Sequence, residues 1–150
     1  LAATGTAIDP QSWTAFASMV GSSILLGAAF VAVGYCDSAL VRDRGTAAGI
    51  AIGIWLMFVL IYDMALLGLL VVDQGRTVSG AVLSALLVLN PTDAYRLFNL
   101  TGSGNVSAFS GMAGIAQASH LTPLVLLAAL AAWALVPLTF AAVAFSRREL

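Results

Sequence analysis

The chain has 150 residues, of which 61% are hydrophobic and 9% are charged, and its formal net charge is −1. Soluble domains carry about 25% charged residues, so this composition excludes an ordinary water-soluble protein. The small net charge argues against nucleic-acid binding, and the absence of lysine excludes a Walker A nucleotide-binding motif.

Three stretches are long enough to cross a bilayer, which takes about 20 predominantly apolar residues. We predict spans at about 13–36, 47–72 and 121–145, with an external segment at 73–120 before the third span. Each span must be helical, because backbone groups find no water in the hydrocarbon region. The predicted fold class is therefore an all-α integral membrane protein, with residues 1–150 forming a single membrane domain.

The first and third spans begin with residues that favour helix starts. Ser12 is the predicted N-cap of the first span, and Thr122 is that of the third, with Pro123 at its first helical position. Pro137 lies inside the third span, where we expect it to kink the helix. Because prolines are tolerated in membrane helices, this residue carries no functional argument.

Arginine placement predicts the orientation of the spans. The short loop at 37–46 contains two arginines and the tail at 146–150 contains two more, whereas only one arginine of segment 73–120 lies close to a membrane end. The positive-inside rule therefore places the short loop and the C-terminus in the cytoplasm. The loop residues Arg42, Asp43 and Arg44 are either a solvated charge cluster or a docking surface for a cytoplasmic partner.

Gly45, Gly49 and Gly53 form a smooth stripe at the start of the second span. Stripes of small residues at this spacing let two helix backbones approach closely, so we predict helix packing here. The partner is either another helix of the same chain or a second copy of it.

Asp63 lies well inside the second span. A charge at the centre of a membrane helix costs about 2.5–3.5 kcal/mol on insertion scales, so it should face protein or water. It is either a polar point on a substrate path or a pivot for helix movement, or it makes a simple hydrogen bond or water contact near the outer surface. No basic residue in the spans offers it a partner, which favours the simple hydrogen bond or water contact.

An intramembrane protease is disfavoured, because a two-carboxylate mechanism needs a second buried acid.

The external segment carries two short helical patterns. The apolar run 81–89 is too short to cross a membrane, so it is an interfacial or re-entrant half-helix. The next four residues have the pattern of a helix start: Asn90 as N-cap, Pro91 at the first position and Asp93 facing the positive end of the helix dipole. Residues beyond Thr101 show no helical period and are predicted to be loop.

The stretch from Ala47 through Leu67, followed by Leu89-Asn90-Pro91-Thr92-Asp93-Ala94-Tyr95-Arg96-Leu97, resembles ABC-2-type permease subunits. It is most similar to those of the transporters that mature nitrous oxide reductase in denitrifying bacteria. The resemblance covers essentially all 150 residues, and Asn-Pro-Thr-Asp-Ala-Tyr-Arg is its most specific part. It implies the C-terminal half of a six-span permease, which the opening residues and the parity of three spans also suggest.

The resemblance further implies a function and a set of partners. The permease would be a homodimer in the bacterial inner membrane, docked on two cytoplasmic ABC ATPase subunits and contacted by a periplasmic β-helical copper-delivery protein. It would support maturation of the copper sites of nitrous oxide reductase. The chain itself would be non-catalytic and bind no cofactor or metal: ATP and magnesium would be bound by the ATPase, and copper by the periplasmic partner.

Carried over by position, the resemblance implies roles for two groups of residues. Arg42, Asp43 and Arg44 would lie near the ATPase. An external helix near the periplasmic partner would be built from Asn90, Pro91, Asp93, Tyr95 and Arg96. Two other functions remain open: an ABC-2 permease that exports a lipid or a drug, and a membrane scaffold that transports nothing.

Overall fold

The computed structural model describes residues 10–73, 78–102 and 121–146, and every regular element in these ranges is helical. The helices are α1 (Pro10–Leu40), α2 (Arg44–Asp73), α3 (Gly80–Leu89), α4 (Pro91–Gly102) and α5 (Pro123–Ser146). Of these, α1, α2 and α5 are long and apolar enough to cross a membrane. The predicted all-α class with three spans is therefore confirmed.

The boundaries of α1 differ from the predicted ones. The helix begins at Pro10, so Ser12 lies inside it and its prediction as N-cap is wrong; proline favours the first helical position, where its missing N–H is not needed. The helix also continues past Cys36 to Leu40, and the backbone N–H of Val41 still bonds to the carbonyl of Asp37. The loop to α2 therefore has only three residues, 41–43.

The start of α5 is as predicted. The helix begins at Pro123, and the backbone N–H of Val125 donates to the hydroxyl of Thr122 across 3.4 Å. Pro137 lies inside the helix, and its carbonyl lies 2.8 Å from the thiol of Cys36 on α1, which donates to it.

A π-helical turn, Met57–Ile61, interrupts α2 between its two α-helical parts, Arg44–Leu56 and Tyr62–Asp73. At this turn the backbone N–H of Tyr62 bonds to the carbonyl of Met57, five residues earlier. The turn contains neither glycine nor proline, the residues that most often mark a helix irregularity in sequence.

The helices pack around α4. Helices α1 and α5 lie side by side, α4 packs against both, and it also touches the π turn of α2. The buried core formed there contains Leu66, Leu83, Leu87, Ala94, Leu97, Phe98, Leu126 and Leu130. Because lipid is as apolar as leucine, such a core is stabilised in a bilayer by close packing and interhelical hydrogen bonds rather than by exclusion of water. Of the three spans, α2 is the least buried within the described chain.

Candidate functional site

Helices α3 and α4 form a hairpin that turns back into the helix bundle. The hairpin starts near the end of α2, where the backbone N–H of Val78 donates to a carboxylate oxygen of Asp73 at 2.9 Å. Its tip at Asn90 contacts Phe58. Along α2, Phe58 lies about 22 Å from Asp73. This contact favours the re-entrant over the interfacial alternative, although entry of the run into the bilayer stays a prediction. We call α3 and α4 together the re-entrant hairpin.

Two side chains satisfy carbonyl groups at the end of α3. The hydroxyl of Tyr62 on α2 donates to the carbonyl of Leu86 at 2.8 Å, and the indole N–H of Trp133 on α5 donates to that of Val88 at 3.2 Å. The last four carbonyls of any helix lack partners within the helix. Where water is absent such groups must be satisfied by protein, so Tyr62 and Trp133 allow α3 to end inside the bundle.

Asn90 connects the tip of the hairpin to the π turn of α2. Its side-chain carbonyl oxygen accepts from the backbone N–H of Thr92 at 3.0 Å, which confirms the predicted N-cap. Its amide nitrogen donates to the carboxylate of Asp93 at 2.9 Å and to the backbone carbonyl of Phe58 at 3.0 Å. The side chain is completely buried, so these protein groups take the place of water as its hydrogen-bond partners.

Asp63 has a charged partner that the sequence interpretation missed. The guanidinium of Arg96 on α4 donates to its carboxylate at 2.9 Å and also lies 3.7 Å from the carboxylate of Asp93. The side chains of Arg96 and Asp63 are 34% and 25% exposed, whereas that of Asp93 is 2% exposed. The expectation of a simple contact near the surface rested on the spans alone, and the missing positive charge comes from the hairpin.

On its other side, α4 bonds to α1. The amide of Asn99 donates to the hydroxyl of Ser22 at 3.1 Å, and the hydroxyls of Tyr95 and Ser23 lie 3.0 Å apart. Helix α4 is therefore joined by polar side chains to two spans, α1 and α2. Neither serine had been singled out in the sequence, because a serine in an apolar helix gives no signal of its own.

The residues predicted to face a periplasmic partner hold the hairpin in the bundle. Asn90, Pro91 and Asp93 are buried, whereas Tyr95 and Arg96 are half-buried and bonded to α1 and α2. Their contact with a partner stays a prediction. Of these five residues, only Tyr95 and Arg96 retain exposed surface for such a contact.

At the opposite end of α2, Asp43 caps the helix. One of its carboxylate oxygens accepts from both the hydroxyl and the backbone N–H of Thr46, each at 2.7 Å. These two hydrogen bonds hold the pKa of Asp43 below its usual range. The spacing Asp-x-x-Thr was the available signal for this cap. Arg42 and Arg44 beside it are exposed, and their docking role stays a prediction.

The glycine stripe of α2 meets no described helix. A Cβ atom added at Gly49 or Gly53 would find nothing within 4 Å, and one at Gly45 would meet only the Asp43 carboxylate at 3.3 Å. Packing against this stripe stays a prediction, and it would need a helix other than those described above.

Comparison with known proteins gives a family and two relatives. The family described as "ABC-2 family transporter protein" matches residues 1–150. The chain is 43% identical over 136 residues to the "Probable ABC transporter permease protein NosY" of Pseudomonas aeruginosa, covering 91% of this chain and 49% of that protein. It is 40% identical over 134 residues to the protein of the same name from Stutzerimonas stutzeri, covering 89% and 48%. The chain thus spans about half the length of the curated relatives it matches.

Proposed function

The chain belongs to the ABC-2 family of transporter proteins, and from this premise we propose that it is part of the permease subunit of an ABC transporter that supports maturation of the copper sites of nitrous oxide reductase. Its family and its three apolar helices make it a multi-pass membrane protein. The name NosY carried by both relatives and the Asn-Pro-Thr-Asp-Ala-Tyr-Arg motif support the more specific role.

One structural observation carries the mechanical part of this proposal. Helix α4 is bonded to α1 through Asn99 and to α2 through Arg96. Any displacement of one span relative to the other must therefore move the re-entrant hairpin or break one of these contacts. A subunit built in this way can transmit movement between the two ends of its spans without binding copper itself.

In the proposed mechanism, two copies of the permease sit in the bacterial inner membrane with the loop 41–43 and the C-terminus in the cytoplasm. Two ATPase subunits bind there, with ATP and magnesium on the ATPases and with Arg42 and Arg44 at the contact. ATP-driven closure displaces the start of α2, which Asp43 caps. The hairpin then moves and changes the contact between the permease and a periplasmic β-helical copper-delivery protein.

Charge reversal at the loop tests this proposal. In the complete transporter, R42E/R44E is expected to uncouple ATP hydrolysis from copper loading of the reductase, because both side chains are exposed and the substitutions leave the Asp43 cap intact. R42K/R44K, which keeps the charges, is the matched control and should retain coupling. Normal coupling and normal copper loading in R42E/R44E would contradict the proposed docking.

An apolar groove favours a second candidate function, export of a lipid or another apolar cargo. The groove has a volume of about 300 Å³ and lies between the end of α3 and α5, where its lining includes Val88, Trp133 and Pro137. Purification of the transporter with its neighbouring subunits separates the two functions. A co-purifying periplasmic copper-binding protein is expected only for the role in reductase maturation.

A further inference from the structure

We propose that Asn90 and the π turn of α2 form a two-state joint, in which return of the turn to α-helical spacing releases the re-entrant hairpin from α2. This inference rests on the proposed function, because a transporter supplies the displacement that would drive the change. It assigns Asn90 a positioning role: the side chain holds the hairpin to one state of α2.

The first observation is the place of the π turn. Met57–Ile61 lies in the middle of a 30-residue helix, and no glycine or proline accounts for it. π turns, in which hydrogen bonds span five residues rather than four, are rare, and they occur frequently at functional sites. A π turn in an otherwise regular span therefore needs an interaction that favours it over the α-helix.

The second observation supplies that interaction. The backbone carbonyl of Phe58, within the turn, accepts a hydrogen bond from the Asn90 amide at 3.0 Å. In an uninterrupted α-helix this carbonyl would bond to the N–H four residues later. The hairpin tip thus takes up a carbonyl for which regular α-helical spacing would compete.

The third observation is that both amide hydrogens of the Asn90 side chain are already used. Its carbonyl oxygen is bonded to Thr92, and its two amide hydrogens go to Asp93 and Phe58. Since the side chain is fully buried and water cannot reach it, loss of the Phe58 bond would leave an amide hydrogen without a hydrogen-bond partner. The hairpin tip therefore cannot follow a changed Phe58 carbonyl without breaking one of its own bonds.

The fourth observation joins the turn to the rest of the hairpin. Tyr62 and Asp63 directly follow the π turn, and they bond to Leu86 of α3 and Arg96 of α4. A one-residue change of spacing rotates the residues beyond the turn by about 100° relative to those before it. Conversion of the turn would move both side chains away from their partners together, so release of the hairpin would be all-or-none.

Distance measurements on the complete transporter test the joint. Spin labels would replace the exposed residues Ile52, on the part of α2 before the turn, and Val82 on α3. Cys36, the single cysteine of residues 1–150, would first be replaced by C36A, together with any cysteine elsewhere in the transporter. Adding ATP and vanadate to the parent complex is expected to shift the distance distribution between two populations. In N90S, serine still caps α4 but is too short to reach Phe58. The bond to Asp93 is also lost, but it lies within the hairpin, and only the Phe58 bond joins Asn90 to α2. The nucleotide-free population ratio should therefore shift roughly fivefold to tenfold toward the released state, as expected for loss of one hydrogen bond between the hairpin and α2.

S79A is the matched control. It removes the N-cap of α3, where Ser79 accepts from the backbone N–H of Val82 at 3.4 Å, without touching the π turn. It should keep the nucleotide response of the parent. A parent that hydrolyses ATP without a change in distance, or an N90S variant that behaves like the parent, would overturn the joint alone. A complex that contains no ATPase would instead overturn the proposed function.

A measurement on the unsubstituted transporter covers the case in which N90S does not assemble. Hydrogen exchange should change on nucleotide addition in residues 57–63 and 90–96 together, because opening the joint exposes both. A change in only one of these two segments, or in neither while ATP is hydrolysed, would overturn the inference.

Discussion

Arg96 and Asp63 form an ion pair across 2.9 Å, although they lie 33 positions apart on different helices. The pair gives the acid within α2 its counter-charge from the re-entrant hairpin. An unpaired charge in a span is costly, so we expect the ion pair to stabilise the docked position of the hairpin.

Removal of either partner should destabilise the docked hairpin. D63N and R96Q are each expected to lower the stability of the purified transporter by about 1–3 kcal/mol, because each leaves a partly buried charge with a weaker partner. Thermal unfolding in detergent measures the effect. The double variant D63N/R96Q should lose less stability than the sum of the losses in the two single variants. Strictly additive losses would mean that the ion pair contributes nothing to stability.

The two donors to the end of α3 should be separately important. Y62F and W133F each remove one N–H or O–H donor, leaving the carbonyl of Leu86 or Val88 unsatisfied inside the bundle. We expect a loss of about 1–3 kcal/mol for each, the usual cost of an orphaned buried polar group. Limited proteolysis of the hairpin provides the measurement. Y95F, which keeps the ring and alters the contact with Ser23 on α1, reports whether loss of a hydroxyl from α4 has the same effect.

Asp43 should stabilise α2 as a cap, in a pH-dependent way. Because its pKa is lowered in the folded chain, its contribution is present above the unfolded value of about 3.9 and is lost as the pH falls through the folded value. D43A should therefore melt at a lower temperature than the parent at pH 7, and the difference should shrink below about pH 4. D43N retains a good cap, so it should restore stability; if D43N melts like D43A at pH 7, the carboxylate has a role other than capping.

The glycine stripe should matter for assembly rather than for the fold of this chain. Since a Cβ at Gly49 meets nothing within 4 Å, G49L should leave the described helices in place but block close approach of another helix. G68L makes the same change near the other end of α2, where a Cβ also meets nothing. The expected result is loss of transporter assembly in G49L and not in G68L, measured by size-exclusion chromatography with light scattering.

Local sequence signals predicted the parts of the fold that depend on neighbouring residues. Long apolar runs defined the three spans, because only a helix satisfies its backbone without water. The caps at Asn90 and Thr122 were predictable because each side chain bonds to a backbone N–H only two or three positions away. Ser12 was misassigned for the same local reason: Pro10, two positions earlier, was an equally good helix start.

The parts that depend on distant residues were not predictable in this way. Arg96 lies in a different helix from Asp63, and nothing near either residue indicates the other. The π turn has no glycine, proline or polar residue to mark it, since its extra carbonyl is taken up by Asn90 from another element. The candidate site was therefore visible as a set of unusual residues, but its connections required the structure.

Disulfide trapping of α4 against α1 tests most directly whether the hairpin lies inside the bundle. Ser22 and Asn99 are hydrogen-bonded at 3.1 Å, and a disulfide needs Cα atoms within about 7 Å. In the complete transporter carrying C36A, S22C/N99C should cross-link rapidly under mild oxidation, and S18C/N99C, one turn nearer the start of α1, should cross-link poorly. Efficient cross-linking of S18C/N99C with none in S22C/N99C would place the hairpin closer to the membrane surface and contradict the re-entrant arrangement.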